Sequence, residues 1–263
     1  MNALGQPVFG VIGGAGVAAG ARLAARLEER VTALGGFRDA HHPELILWQA
    51  TSAPSRSLFL ENRGPDFTPV YERIGRHLRD CGADVFCMAC NAAHARAAEI
   101  SRAVGLPMIH LLDETFGAVR RRWPEVRKVG VLCSTGSRDA RIFDRSAAGL
   151  ELGFADDEVQ GWITAGICGV KNRNRFLPEG HPDRPRTQFR RACERLVRDG
   201  AQALVLACAD IGVDFPDETV AGAPVVDSLA ALADAMLDHW LRHGRFERDH
   251  PLHEAARAAK GQG

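Results

Sequence analysis

The chain has 263 residues, 46% hydrophobic and 25% charged, with 33 basic side chains balanced by 33 acidic ones. That length can bury a large core, in one large domain or two of ordinary size. Zero formal charge gives no overall field for nucleic acid or an anionic membrane, so any charge recognition is local.

Read in chain order, the apolar pattern predicts a strand at 8–12, a helix at 17–34, a strand at 44–50 and a helix at 66–81. A strand at 84–89, a helix at 92–104, a strand at 107–111 and a helix at 114–123 follow. The next are a strand at 128–132, a helix at 139–148, a short glycine-flanked strand at 152–155 and a helix at 157–168. A helix at 187–199, strands at 203–208 and 223–226, and a helix at 228–242 complete the series. Alternation of this kind predicts an α/β fold with parallel sheets. Residues 172–186 are rich in Pro and Arg, which marks a functional or disordered loop, and closure of that loop over a cleft would exclude water. Residues 244–263 read as a surface helix or frayed tail. No apolar run approaches a membrane span, and Met1 to Pro7 does not read as a signal peptide. The seven cysteines are odd in number and lie mostly in apolar runs, which points to a reducing, cytoplasmic compartment.

The two halves repeat one another. Gly82–Cys90 (GADVFCMAC) aligns with Gly200–Cys208 (GAQALVLAC), Gly10–Gly16 with Gly130–Gly136, and Pro107–Ile109 with Pro224–Val226, at nearly constant offsets. Three blocks in one order predict an internal duplication, with two Rossmann-like lobes related by a pseudo-two-fold axis. Residues 1–112 plus 227–263 form the first lobe and 113–226 the second, with the helix at 228–242 crossing back to the first.

The duplication places Cys90 and Cys208 at equivalent strand ends, facing one cleft from opposite sides. Each ends an apolar strand and precedes a helix start, with Asn91 as a plausible cap after Cys90 and Asp210 after Cys208. Unpaired N–H groups there stabilise a thiolate. Either cysteine alone reads as a buried apolar residue. The repetition favours function, and two facing thiols suit removal of a proton from one face of a carbon and its return to the other. Cys87 forms a C-x-x-C with Cys90, but its duplicate is Val205, so core packing is the simpler role. No second ligand pair at zinc spacing accompanies it. Gly13–Ala19 contains a dinucleotide-type glycine turn, yet the next strand ends Leu47–Thr51 without the carboxylate that would hold a ribose. A nucleotide-dependent oxidoreductase is disfavoured on that ground. The turn remains suited to a carboxylate or phosphate.

On Gly10–Gly16, Ala53–Arg56, Cys90–His94, Lys128–Gly136, Gly169–Lys171 and Ala207–Asp210, the chain resembles the cofactor-independent aspartate/glutamate racemases, within them the aspartate branch. The resemblance implies Cys90 and Cys208 as the two acid/base catalysts, no cofactor, a small acidic amino-acid substrate and a homodimer. It implies Arg56 and Lys171 on the substrate's side-chain carboxylate. Asn91, with N–H groups around Gly14 and Thr135, would hold the α-carboxylate and ammonium. Without the resemblance, Arg56 and Lys171 read as ordinary surface charges. His94 is either an orienting group or a satisfied structural histidine. The family's Cys-Asn-Thr-x-His has Ala92 for the threonine here, and its Gly-Cys-Thr-Glu reads Ala207-Cys208-Ala209-Asp210. Two hydroxyls are thus missing, each able to make a hydrogen bond worth on the order of 1.5–3 kcal/mol to a charged group. The alternatives are a related enzyme of the hydantoin racemase, maleate isomerase or decarboxylase type, and a non-catalytic dicarboxylate-binding protein.

Overall fold

The computed structural model describes residues 1–261, whose strands form two sheets. The first contains β1 (Phe9–Gly13), β2 (Leu45–Gln49), β3 (Val85–Met88) and β4 (Met108–Ile109), all parallel in the order β2-β1-β3-β4. The second contains β5 (Lys128–Leu132), β6 (Glu151–Phe154), β7 (Ala203–Leu206), β8 (Thr219–Val220) and β9 (Ala223–Asp227), in the order β6-β5-β7-β9-β8. Only the β8/β9 pairing is antiparallel. The order of the first sheet recurs in the second, as duplication requires. The chain is an α/β protein of two similar lobes.

Central strands β1, β3 and β7 are buried along their whole length, which is why they read as unbroken apolar runs. Helices α3 (Thr68–Asp80) and α4 (Ala97–Val104) cover one face of the first sheet, with Tyr71, Ile74, Leu78, Ile100 and Val104 against Ile12, Phe86 and Met88. Helices α7 (Asp157–Val170) and α8 (Pro185–Arg198) cover the second sheet through Val159, Ile163, Phe189 and Leu196. Between the sheets lie α1 (Val17–Ala33), α5 (Leu111–Arg122) and α10 (Ser228–His243), whose apolar faces belong to one continuous core with strands of both sheets. Helix α10 packs on α1 and α5, and α11 (His253–Lys260) packs on α10 behind the buried Leu252.

Several local expectations are corrected. The helix expected at 139–148 is α6 (Thr135–Asp139), followed by turns, because Arg141 adopts a left-handed φ of 50° that ends the helix. A short helix, α2 (Arg56–Leu60), forms where none was expected, and the Ser55 hydroxyl caps it by accepting from Leu58 N at 3.3 Å. The helix expected at 92–104 opens as a 3-10 segment, Ala92–Arg96. Asn91 itself has helical dihedrals and makes no cap hydrogen bond. After Cys208, Asp210 leads into one turn, α9 (Ile211–Asp214), again without capping it. In the 172–186 loop a 3-10 turn spans Arg173–Phe176, and Arg186 pairs with Glu179 and Asp217. The end of the segment read as a tail, residues 262–263, lies outside the described residues.

Candidate active site

Ligands of parallel α/β sheets bind at the carboxyl ends of the strands. Cys90 and Asn91 lie beyond the end of β3, and Cys208, Ala209 and Asp210 beyond the end of β7. These residues, with Ala92, Arg56 and Lys171, line one cavity of about 70 Å³. It draws one cysteine from each sheet. Cys90 is 8% exposed and Cys208 partly exposed.

The two sulfurs meet different charges. Arg56 begins α2, and its Nη1 donates to Pro54 O at 2.8 Å and Ala53 O at 3.4 Å. Burial alone would lower its pKa, but the adjacent Cys90 sulfur, Tyr71 and Asp210 hold it above the ordinary value. The Arg56 Nε is buried without a partner. At the second sulfur, burial pushes the Cys208 thiol up to about 12, and Asp210 adds to this while its own N–H and Lys171 oppose it. Cys208 is therefore a thiol at neutral pH.

Lys171 follows the last residue of α7, and its Nζ lies 2.9 Å from Asp210 Oδ2. Asp210 is only 3% exposed. Burial raises the carboxyl's pKa, against the pull of Lys171 and Arg56. Burial would lower Lys171, but Asp210, together with the Cys208 and Cys90 sulfurs, outweighs that and raises it. The other carboxylate oxygen lies against Gly16, where any Cβ would collide with it. The glycine turn after β1 thus faces a carboxylate supplied by the second lobe. Gly14, with a φ of 84°, turns the chain where a side chain would strike the backbone of Ala50. It lines an adjoining cavity of about 500 Å³ that shares Arg56, Lys171 and Asp210 with the first.

Asn91 is buried, and its Nδ2 donates to Ser228 Oγ at 3.0 Å while its Oδ1 has no partner. His94 lies behind the cavity. Its Nδ1 bonds Cys90 O at 2.9 Å and its Nε2 accepts from Leu111 N at 3.2 Å, which fixes the tautomer and ties the Cys90 loop to α5. Thr135 opens α6 beside Ser134, its hydroxyl 3.5 Å from that of Thr164. Ser55, Ser57, Ser134 and Ser137 also line the cavity and were not singled out by sequence. Their signal was proximity: two flank Arg56, and two belong to the Ser134–Ser137 turn.

Cys87 is sealed in the core, 3.9 Å from Met236 Sδ. At the end of β2, where a dinucleotide site would carry a carboxylate, Gln49 donates to Val17 O at 3.1 Å and fills the space over Gly13 and Gly20. None of the loop residues 172–186 is among those lining the cavity of the two cysteines. Among the described residues, no helix is long and apolar enough to cross a membrane.

The sequence profile described as Asp/Glu/Hydantoin racemase matches residues 12–236. The chain is 23% identical over 214 residues to the broad specificity amino-acid racemase RacX of Bacillus subtilis (strain 168), covering 80% of this chain and 87% of that protein. Among solved structures it is similar to Picrophilus torridus aspartate racemase, with a TM-score of 0.72, 21% identity, and 94% and 99% of the two chains covered. It is also similar to glutamate racemase isoform RacE1 from Bacillus anthracis, with a TM-score of 0.64, 15% identity, and 97% and 95% covered. At these identities the solved structures speak to the fold.

Proposed function

The chain belongs to the Asp/Glu/hydantoin racemase family of isomerases, and from that premise we propose that it inverts the α-carbon of an amino acid by exchanging protons with Cys90 and Cys208. The observation that carries the reading is that one cysteine from each sheet lines a single cavity, with Arg56 beside one sulfur and Lys171–Asp210 beside the other.

In this mechanism the Cys90 thiolate, stabilised by Arg56, removes the α-proton, and the bonding pair delocalises into the α-carboxylate. The Cys208 thiol then delivers its proton to the opposite face. Turnover leaves a Cys90 thiol and a Cys208 thiolate, and the reverse reaction restores the first state. Two thiols account for both proton transfers, so the proposal requires no cofactor. The unpartnered Oδ1 of Asn91 is an acceptor for the substrate ammonium, and N–H groups near Gly14 and Thr135 serve the α-carboxylate. Preorganised donors and excluded water supply the stabilisation of the carbanionic state.

The resemblance implies aspartate or glutamate, with Arg56 and Lys171 on the second carboxylate. One observation favours a different side chain: Lys171 already has a carboxylate partner in Asp210. A homodimer and a reducing, cytoplasmic setting that keeps both thiols free belong to the same proposal, as do lobe boundaries at 1–112 plus 227–263 and 113–226.

The test is α-proton exchange followed by NMR in deuterated water, with chiral chromatography of the product. Cys90→Ser and Cys208→Ser are each expected to lose roughly 10²- to 10⁴-fold in racemisation, the usual contribution of a positioned acid or base. Full-rate racemisation by both variants overturns the two-cysteine mechanism.

A further inference from the structure

We propose that the amino acid racemised here carries an uncharged side chain, because Asp210 of the chain itself occupies the cationic subsite that a second substrate carboxylate would need. This rests on the racemase reading and narrows it to a substrate class.

The charged side chains lining the reaction cavity are Arg56, Lys171 and Asp210. Asp210 is held from two sides: Lys171 Nζ at 2.9 Å from one oxygen, and Gly16 packed against the other. A short, buried side chain so enclosed cannot swing aside to release Lys171 without losing its counter-charge in a poorly solvated place. The second cation, Arg56, spends Nη1 on two backbone carbonyls and sets its charge beside Cys90. With one cysteine ionised, two cations face two anions and the site is balanced. A zwitterion with an uncharged side chain preserves that balance, whereas aspartate or glutamate adds a third anion against two cations in a poorly solvated site.

The space around the pair agrees with this. The reaction cavity is small, and the rest of its wall is uncharged: the amide of Asn91, four serine hydroxyls, and apolar side chains that include Ile167, Ala92 and Ala209. Apart from the shared Arg56, Lys171 and Asp210, the adjoining cavity of about 500 Å³ is lined by Val17, Ala18, Ala21 and Val170 among others, and adds no cation to those two.

The experiment measures kcat/KM of the full chain for L-alanine, L-serine, L-homoserine, L-methionine, L-aspartate and L-glutamate by α-proton exchange and chiral chromatography. The best uncharged substrate is expected to exceed both acidic ones by at least tenfold. Asp210→Asn, which frees Lys171, is expected to shift the ratio at least tenfold toward aspartate. An acidic amino acid as the best substrate of the unaltered chain, or an unmoved ratio in Asp210→Asn, overturns the proposal. Calorimetric binding of the same panel to a Cys90→Ser/Cys208→Ser variant ranks the ligands independently of turnover. If no amino acid exchanges its α-proton, the racemase reading falls and this ranking alone decides the charge preference. Tighter binding of an uncharged amino acid supports it, and preference for an acidic one, or no binding at all, overturns it.

Discussion

Asn91 and Ser228 are joined by a 3.0 Å hydrogen bond from amide Nδ2 to hydroxyl, both side chains sealed from solvent. The bond links the residue after Cys90 to the first residue of α10. One residue earlier, Asp227 accepts from Leu229 N at 2.9 Å and pairs with Arg26 of α1. Arg26 also donates to Gly212 O at 3.4 Å, within the single turn that follows Cys208. Both cysteine loops are thus anchored to the start of one helix.

Removing the anchor leaves a buried amide N–H without its partner, at a cost of about 1–3 kcal/mol. Ser228→Ala is therefore expected to lower Tm by on the order of 5 °C and to reduce kcat/KM by loosening Asn91. Calorimetry and racemisation rates check this, and an unchanged Tm contradicts the anchoring role.

Gly16 admits the Asp210 carboxylate because it has no Cβ. Gly16→Ala drives a methyl group into that carboxylate and displaces it from Lys171, an overpacking cost of about 1–3 kcal/mol. The expected result is at least a tenfold loss of kcat/KM. Full activity in the variant contradicts the requirement for Asp210 to pack against Gly16.

Cys208 and the exposed cysteines are expected to differ in reactivity. With its thiol pushed up to about 12 by burial, Cys208 is expected to alkylate with iodoacetamide at pH 7 far more slowly than exposed Cys81 and Cys168. Its rate then rises about tenfold per pH unit toward that value, since only the thiolate reacts. Peptide mass spectrometry over pH 7–9 measures the slope, and a pH-independent rate contradicts the protonated assignment.

Buried His94 is expected to make stability pH-dependent. Burial lowers its pKa to about 3, with His110 adding to the effect and the hydrogen bond to the Cys90 carbonyl opposing it. In the unfolded chain the ring takes a proton near 6.5. Above that value both states are neutral and the group contributes no slope. As pH falls from about 6.5 toward about 3, the unfolded state binds a proton that the folded state refuses, and stability drops by up to about 1.4 kcal/mol per pH unit. His94→Gln is expected to be less stable at pH 7.5, yet to lose less stability between pH 6 and 4. Urea unfolding at several pH values tests this, and an unaltered slope contradicts it.

Strands β1, β3, β5 and β7 were legible because burial on both faces leaves an uninterrupted apolar signature. The repeat brought Cys90 and Cys208 together on paper, since equivalent strand ends of duplicated sheets share one edge. Helix α2 was hidden because its five residues depend on the Ser55 cap and on packing against α6, where Gly136 meets Ser57 O and Leu60. The short α6 was mistaken for a longer helix, as local composition does not reveal the left-handed Arg141. Asn91 looks like a cap in sequence, but its amide serves Ser228, a partner 137 residues away. The Lys171–Asp210 pair was equally invisible, for it exists only once α7 and the turn after β7 are packed together.

Sheets from both halves bury their inner faces in the same apolar body, built around α1, α5 and α10. Neither half keeps a complete interior if its neighbour melts, so heat is expected to produce a single cooperative transition, with loss of the two-cysteine cavity and loss of helical signal at one temperature.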